Sequence, residues 1–406
     1  LSNENVSGYC IHAFTDGDWI LGAGLIDHWQ RPKAAYHAIA EANKTPPILC
    51  FPEKRNLHEG DSVAFDIVLR GQDDSVPAYI ELCTDNTALK LTNLDWSGEH
   101  NFQQAQAYIP SSLLQTGANS IKIHAYNLEG QIECSNTIEL FVTPAPISTT
   151  EADLVVYDPE ADLTPWLDDA GIRYTALSNW STNDSPTTFL IVPEDVSAEA
   201  DLTQFKAAMQ CVKQGTANAL YLEPPAEHES ACMLEEYEAS NAPEMESNQL
   251  LQSGIFPFKL IARPSFSFWE SSMHVAKKHP IFEGLPTDCM MDEPYHEVAP
   301  AESFYELEAD EAPAQTITWF RPEVIATKAQ KRTYLGGEDL WHGTDLAVKA
   351  HGQGNLILST LILRRKVRHD PVAQLLLSNL LQYSDTLHTR HTSSQTKPEA
   401  MTFVAK

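Results

Sequence analysis

Basic residues are scarce in this sequence: 27 lysines and arginines stand against 56 aspartates and glutamates, a formal net charge of −29. A protein that displaces counterions from a duplex needs a basic surface, and this one is expected to repel phosphate, so no nucleic-acid and no membrane partner is expected. Apolar runs long enough to cross a bilayer, about 20 residues, are lacking too. The longest candidates, such as Leu356 to Leu363, fit a buried strand. There is no Cys-x-x-Cys pair: the seven cysteines (Cys10, Cys50, Cys83, Cys134, Cys211, Cys232, Cys289) are odd in number and scattered. Neither a disulfide framework nor a thiolate zinc site is supported. An initiating methionine and a charged-then-apolar leader are also missing. The opening Leu1-Ser2-Asn3-Glu4 reads as the middle of a structured region, hence as a fragment or processed product, and localisation cannot be read from it.

What is present is globular. Hydrophobic residues at 43% and charged residues at 20% rule out disorder and low-complexity classes, and 406 residues suit two or three domains. Residues 8–14 form an apolar run closed by Thr15-Asp16-Gly17-Asp18, the way a buried strand ends at a functional loop. Pro32 opens a helix whose stripe is Ala34, Ala35, Ala38, Ile39 and Ala42. One strand and one helix make no core, so residues 1–45 are expected to complete something outside this sequence. After Thr45-Pro46-Pro47 the period changes to two. Strands are expected near 63–69, 78–83, 105–109, 119–126 and 137–142. About seven short strands in about 95 residues is the arithmetic of an immunoglobulin-like sandwich over 46–145. Cys83 and Cys134 could meet inside it, though their spacing does not require it.

Beyond Thr143-Pro144-Ala145-Pro146, strands alternate with helices. Strands are read at 153–157, 174–177, 188–192, 219–222 and 355–361, and helices at 164–170 and 202–213. A last helix starts after Asp370-Pro371 and runs through Tyr383. That order implies a largely parallel sheet with helices on both faces over 146–390. Residues 226–252 read as an acidic excursion, and the polar stretch from 386, with 391–406 at its end, as a flexible tail.

The N-terminal motifs carry a resemblance. Ile11-His12-Ala13-Phe14-Thr15-Asp16, then Gly24-Leu25-Ile26-Asp27, then Arg31-Pro32-Lys33, resemble the last strand, loop and helix of the (β/α)₈ catalytic barrel of glycoside hydrolase family 2, the β-galactosidase family. His279-Pro280-Ile281-Phe282-Glu283-Gly284-Leu285-Pro286, and Gly352 to Leu361 followed by Asp370-Pro371, resemble elements of the flavodoxin-like, amidotransferase-like domain that many bacterial members add. The resemblance implies a multidomain chain: the end of a barrel, a sandwich, and a degenerate class I amidotransferase-like α/β domain. It also implies a retaining β-glycosidase parent with a carbohydrate substrate and no cofactor. Its two catalytic glutamates would lie upstream, so no catalytic residue is expected within this chain.

What remains of the site would be His12, where the family often has a tryptophan, with Asp16, Asp18 and Trp19 on the next loop, able to bind hydroxyls or stack on a ring. The bland reading beside it is a satisfied core histidine and a simple turn. The loop lacks the Asn-x-Lys element of β-glucuronidases, which disfavours a glucuronide. In the third domain, Leu220-Tyr221-Leu222 runs into Glu223-Pro224-Pro225 without the nucleophilic cysteine of an amidotransferase. Gly352-Gln353-Gly354-Asn355 precedes a strand and reads as a turn. His342, His351 and His369 lack ligand spacing, and Trp269, Trp319 and Trp341 read as core or contact residues rather than a sugar platform. The alternative function is a non-catalytic module that binds glycan or forms a homo-oligomer through the C-terminal domain.

Overall fold

The period-two segment after Pro47 forms eight strands in the computed structural model, which describes residues 10–11, 14–16, 24–43, 48–70, 76–98, 102–144, 153–192, 199–224, 226–228, 260–264, 270–305, 307–320 and 339–395. They are β1 (Ile48–Pro52), β2 (Asn56–His58), β3 (Val63–Arg70), β4 (Tyr79–Cys83), β5 (Ala88–Leu91), β6 (Phe102–Ile109), β7 (Gly117–Tyr126) and β8 (Ile132–Thr143). One sheet has the order β1-β3-β6 and the other β2-β8-β7-β4-β5. The chain changes sheet at every step except β4 to β5 and β7 to β8, as in an immunoglobulin-like sandwich. Alternation decides which side chains face inward. Ile67, Ile80, Leu82, Ile109, Ile121 and Ile123 are wholly buried between the sheets, each contributing roughly 1.5–3 kcal/mol. Cys83 and Cys134 do not meet: β7 lies between their strands, and both are free thiols.

This unit, Leu1–Val142, also holds the N-terminal segment. Thr15 bridges Ile26 in parallel and Ile26 bridges Pro32 in antiparallel, leading into α1 (Ala34–Ala42). Among the described residues, the sandwich core takes none from before Ile48. Ala34, Ala35 and Ala38 are exposed, and Phe14 is 53% exposed and meets the Tyr36 ring edge-on. The expected strand at 8–14 falls largely outside the described residues.

The second unit, Thr143–Lys406, begins with β9 (Leu154–Tyr157), α2 (Thr164–Asp169), β10 (Tyr174–Ala176), β11 (Thr188–Ile191), α3 (Glu199–Gln214) and β12 (Asn218–Leu222). The chain then forms β13 (Glu227–His228), β14 (Ile261–Pro264), β15 (Glu270–Ala276), β16 (Cys289–Met290), β17 (Glu302–Tyr305), β18 (Glu311–Phe320) and β19 (Asp339–His351) before β20 (Gly354–Ser359) and α4 (Pro371–Gln395). Strands β10-β9-β11-β12-β20 are mutually parallel. Phe189, Ile191, Tyr221, Leu356 and Leu358 point to one face, where they pack against Phe205, Ala208, Met209 and Val212 of α3. Thr188 and Asn218 point the other way and hydrogen-bond Ser384 of α4, so helices cover both faces.

Two expectations are corrected here. The sheet is parallel in those five strands and again only in the short β13–β14 pair at its far edge. From β20 it continues antiparallel through β19, which pairs with β17 on one edge and β18 on the other, and an outer layer of β15 and β16 hangs on β18. The final helix also does not stop near Tyr383: it runs to Gln395, past the start of the expected tail. Thr386 and Thr389 keep their hydroxyls bonded to the carbonyls of Gln382 and Asp385, so polar residues stay within the helix. Its start is as expected: Asp370 Oδ1 accepts from Ala373 N at 2.8 Å.

The His279–Pro286 motif is a docking loop for α4. Ile281 and Phe282 are buried, and Asn379 Nδ2 donates to the carbonyls of Ile281 at 3.0 Å and Glu283 at 2.9 Å. His279 Nε2 and Tyr383 Oη converge on Glu311 Oε2 at 2.8 and 2.7 Å. Gly284 has φ +80, and a Cβ there would lie 2.9 Å from Pro144 Cγ. Only glycine fits.

Candidate functional site

Two places hold the features that sequence reading singled out. The first is the loop between Thr15 and α1. Asp16 Oδ1 accepts from Gly24 N at 2.8 Å and from Lys33 Nζ at 2.5 Å, while Asp16 N donates to Ile26 O at 3.0 Å. The Lys33 hydrogen bond holds the Asp16 carboxyl below its ordinary range, against the opposing pull of burial. A Cβ on Gly24 would sit 2.3 Å from Asp16 N, so the loop closes only over glycine. Asp16 thus ties the loop to the start of α1. His12, Asp18 and Trp19, expected beside it, lie outside the described residues.

Asp27 works in the same manner. Burial raises its pKa, but hydrogen bonds from the Arg31 N–H and guanidinium outweigh that and hold the carboxyl low. This turn presents Trp29, 76% exposed, with the Arg31 guanidinium 5.0 Å from its ring centroid. Sequence reading passed over Trp29. The available signal was an aspartate opening a turn with a tryptophan two residues on.

The second place is the crevice at the carboxyl ends of β12 and β20, where open α/β sheets gather ligands. β12 ends in Glu223, whose φ of +50 puts a side-chain-bearing residue in the left-handed region. Its N–H donates to Ser359 O at 2.7 Å, so the end of the neighbouring strand fixes the bend. Thr360 then turns back, donating from N and Oγ1 to Asp345 O at 2.9 and 3.1 Å. Arg364, nearly buried, reaches Asp162 Oδ2 at 2.9 Å and lies 3.8 Å from Glu223 Oε2. Asp158 shapes the adjoining loop by accepting from the N–H groups of Asp162, Leu163 and Thr164. A cavity of about 390 Å³ here is lined by Glu223, Glu302, Thr360, Arg364 and Arg365 among others. Its described lining contains no cysteine, serine or histidine. The strained elbow is present, as in a nucleophile turn, but it carries a carboxylate held beside an arginine. Such a site can bind a polar ligand through opposed charges.

Other expectations are placed as follows. Cys211 lies within α3, and Gly352 and Gln353 form the turn between β19 and β20. Trp269 and the side chains of Trp319 and Trp341 lie outside what is described. Among the described residues no cluster of three metal-ligating side chains occurs and no helix is long and apolar enough to cross a membrane.

No protein-family model and no curated relative matches the chain. Among solved structures it is similar to the fibronectin(III)-like modules of Clostridium thermocellum CbhA, at 12% identity over 24% of this chain and 99% of that one, with a TM-score of 0.18. It is similar also to the SrpA adhesin of Streptococcus sanguinis, at 16% identity over 30% and 75%, TM-score 0.17. A third is Cwp6 from Clostridium difficile, at 8% identity over 43% and 41%, TM-score 0.18. The sandwich assignment stands on its own strand order and burial.

Proposed function

We propose that the chain is the C-terminal portion of a retaining β-glycosidase of the family 2, β-galactosidase type, whose two catalytic glutamates belong to a barrel lying upstream. The observation that carries this reading is the state of α1 and Phe14. Their apolar surface has a strand-end loop tied to it by Asp16 and Lys33 but, among the described residues, no core beneath it, as expected of a last strand–helix unit whose neighbours are elsewhere. Asp16 then acts as a positioning residue for the loop, and Trp29 joins Asp18 and Trp19 as a candidate for contact with a sugar ring. The α/β unit, with strand order 2-1-3-4-5 in its parallel part, is read as a flavodoxin-like, amidotransferase-like domain that has lost its chemistry, with Glu223 at the elbow. That substitution favours a second role for this unit, binding or assembly, over a second reaction.

The test is expression of the whole reading frame that encodes this chain, with hydrolysis of aryl β-galactosides followed by NMR. Release of the β-anomer first, abolished by replacing either of two upstream glutamates with glutamine, is the expected result. Absence of hydrolysis across a panel of β-glycosides, or an upstream region without strand–helix repeats, overturns it and leaves the binding module.

A further inference from the structure

Another cavity of the α/β unit, about 460 Å³, lies away from the elbow, at the amino ends of β9 and the edge strand β10. Asp153, Leu154, Arg173, Trp180, Asp184 and Pro186 are among the residues that wall it. The segment 180–187 beside it holds two buried polar atoms without a hydrogen-bond partner, Trp180 Nε1 and Thr187 Oγ1. Trp180 is 7% exposed and its ring is fixed edge-on against Phe189 at 5.0 Å between centroids, so the indole cannot swing out to water. A buried donor left unpaired costs free energy, and folded proteins rarely leave one without a reason.

We infer that this cavity is a binding site for a small neutral polyol, a monosaccharide or the terminal unit of an oligosaccharide. The indole N–H and the Arg173 guanidinium only donate, whereas the Asp153 and Asp184 carboxylates only accept. A group that both donates and accepts satisfies both kinds of wall, and the hydroxyl is the smallest that does. Two carboxylates against one guanidinium oppose an anion, and an amine would leave the indole N–H unanswered. Leu154 and Pro186 supply the apolar surface that sugar C–H faces cover, and the volume falls in the usual range for small-ligand sites. The assignment does not rest on the glycosidase reading, since it concerns a different unit and needs no hydrolysis.

The experiment uses the chain as it stands. Titration with galactose, glucose, mannose and lactose, followed by saturation-transfer NMR and tryptophan fluorescence, is expected to give a dissociation constant of about 1 mM for at least one sugar. Asp153→Ala is expected to weaken that binding about ten-fold with no change in melting temperature, because the side chain is exposed. Trp180→Phe keeps an aromatic ring, removes the N–H and is expected to weaken it by a similar factor. Sulfate is expected not to compete. No saturable binding up to about 50 mM overturns the inference. So does binding that both variants leave unchanged, or displacement by sulfate. Because hydrolysis is never measured, failure here is distinct from failure of the glycosidase reading.

Discussion

Asp345, on β19 with no solvent exposure of its side chain, accepts a hydrogen bond from Ser303 Oγ at 2.6 Å and meets His274 Nδ1 at 3.0 Å. One carboxylate thereby joins three strands, β15, β17 and β19. Asp345→Ala leaves the histidine and hydroxyl without their acceptor in a dry site and is expected to cost about 3 kcal/mol. His274→Ala, whose side chain is slightly exposed, should cost less, and a double-mutant cycle in urea should show coupling of at least about 1 kcal/mol between them. Additive single-mutant effects would place the two residues in separate networks.

The docking loop of α4 makes a second prediction. Gly284→Ala adds a Cβ at φ +80 and 2.9 Å from Pro144 Cγ, combining backbone strain with a clash. The expected destabilisation is about 2 kcal/mol, read as a lower urea midpoint. Asn379→Ala removes both donors to the Ile281 and Glu283 carbonyls and is expected to cost a similar amount, about 2 kcal/mol. A wild-type midpoint in both variants would mean the loop contributes no stability.

Acid should weaken the second unit through Glu297. The Lys366 ammonium hydrogen-bonded to it, with His296 alongside, holds its carboxyl below the ordinary value of 4.5. A lowered folded-state pKa stabilises the protein above that value, and the stabilisation is lost as pH falls through the folded-state pKa. Both side chains are more than a third exposed, so the effect is modest. Lys366→Gln is expected to flatten the fall in melting temperature between about pH 5 and about pH 3. Parallel curves for wild type and variant would refute the linkage.

Thiol chemistry separates the cysteines. Burial pushes the Cys134 thiol up to about 11, and burial with the neighbouring Cys134 pushes Cys50 upward as well, whereas Cys10 is exposed. Iodoacetamide at about pH 8 should therefore alkylate Cys10 in the native protein while sparing Cys50 and Cys134, and all three after unfolding. Peptide mapping by mass spectrometry reads the order, and early labelling of Cys134 would contradict the burial.

The sandwich was legible because a two-residue period is a strong local signal: Val63, Phe65, Ile67 and Leu69 all face inward as their spacing requires. The parallel strands were legible as short apolar runs between helices, and Asp370-Pro371 announced a helix start. The antiparallel half was not. In β17 and β19 the residues that matter are Ser303 and Asp345, polar groups buried because they satisfy one another, and no hydropathy pattern marks a pair 42 positions apart. The end of α4 was misread because threonines and serines look like tail composition until their hydroxyls bond back to the helix. At the site, Glu223-Pro224-Pro225 was recognisable as an elbow by position, but its positive φ came from the Ser359 carbonyl, which sequence cannot place. The Trp180 cavity gave no signal, since its walls come from three separated segments.

Strand β19 is held in common by the parallel sheet, through β20, and by the antiparallel layer, through β17 and β18. Neither half can therefore melt while the other keeps its full complement of ladder bonds. Calorimetry on Thr143–Lys406 should record a single endotherm for both rather than a staircase, and a nick within β19 should lower the heat absorbed by the entire unit.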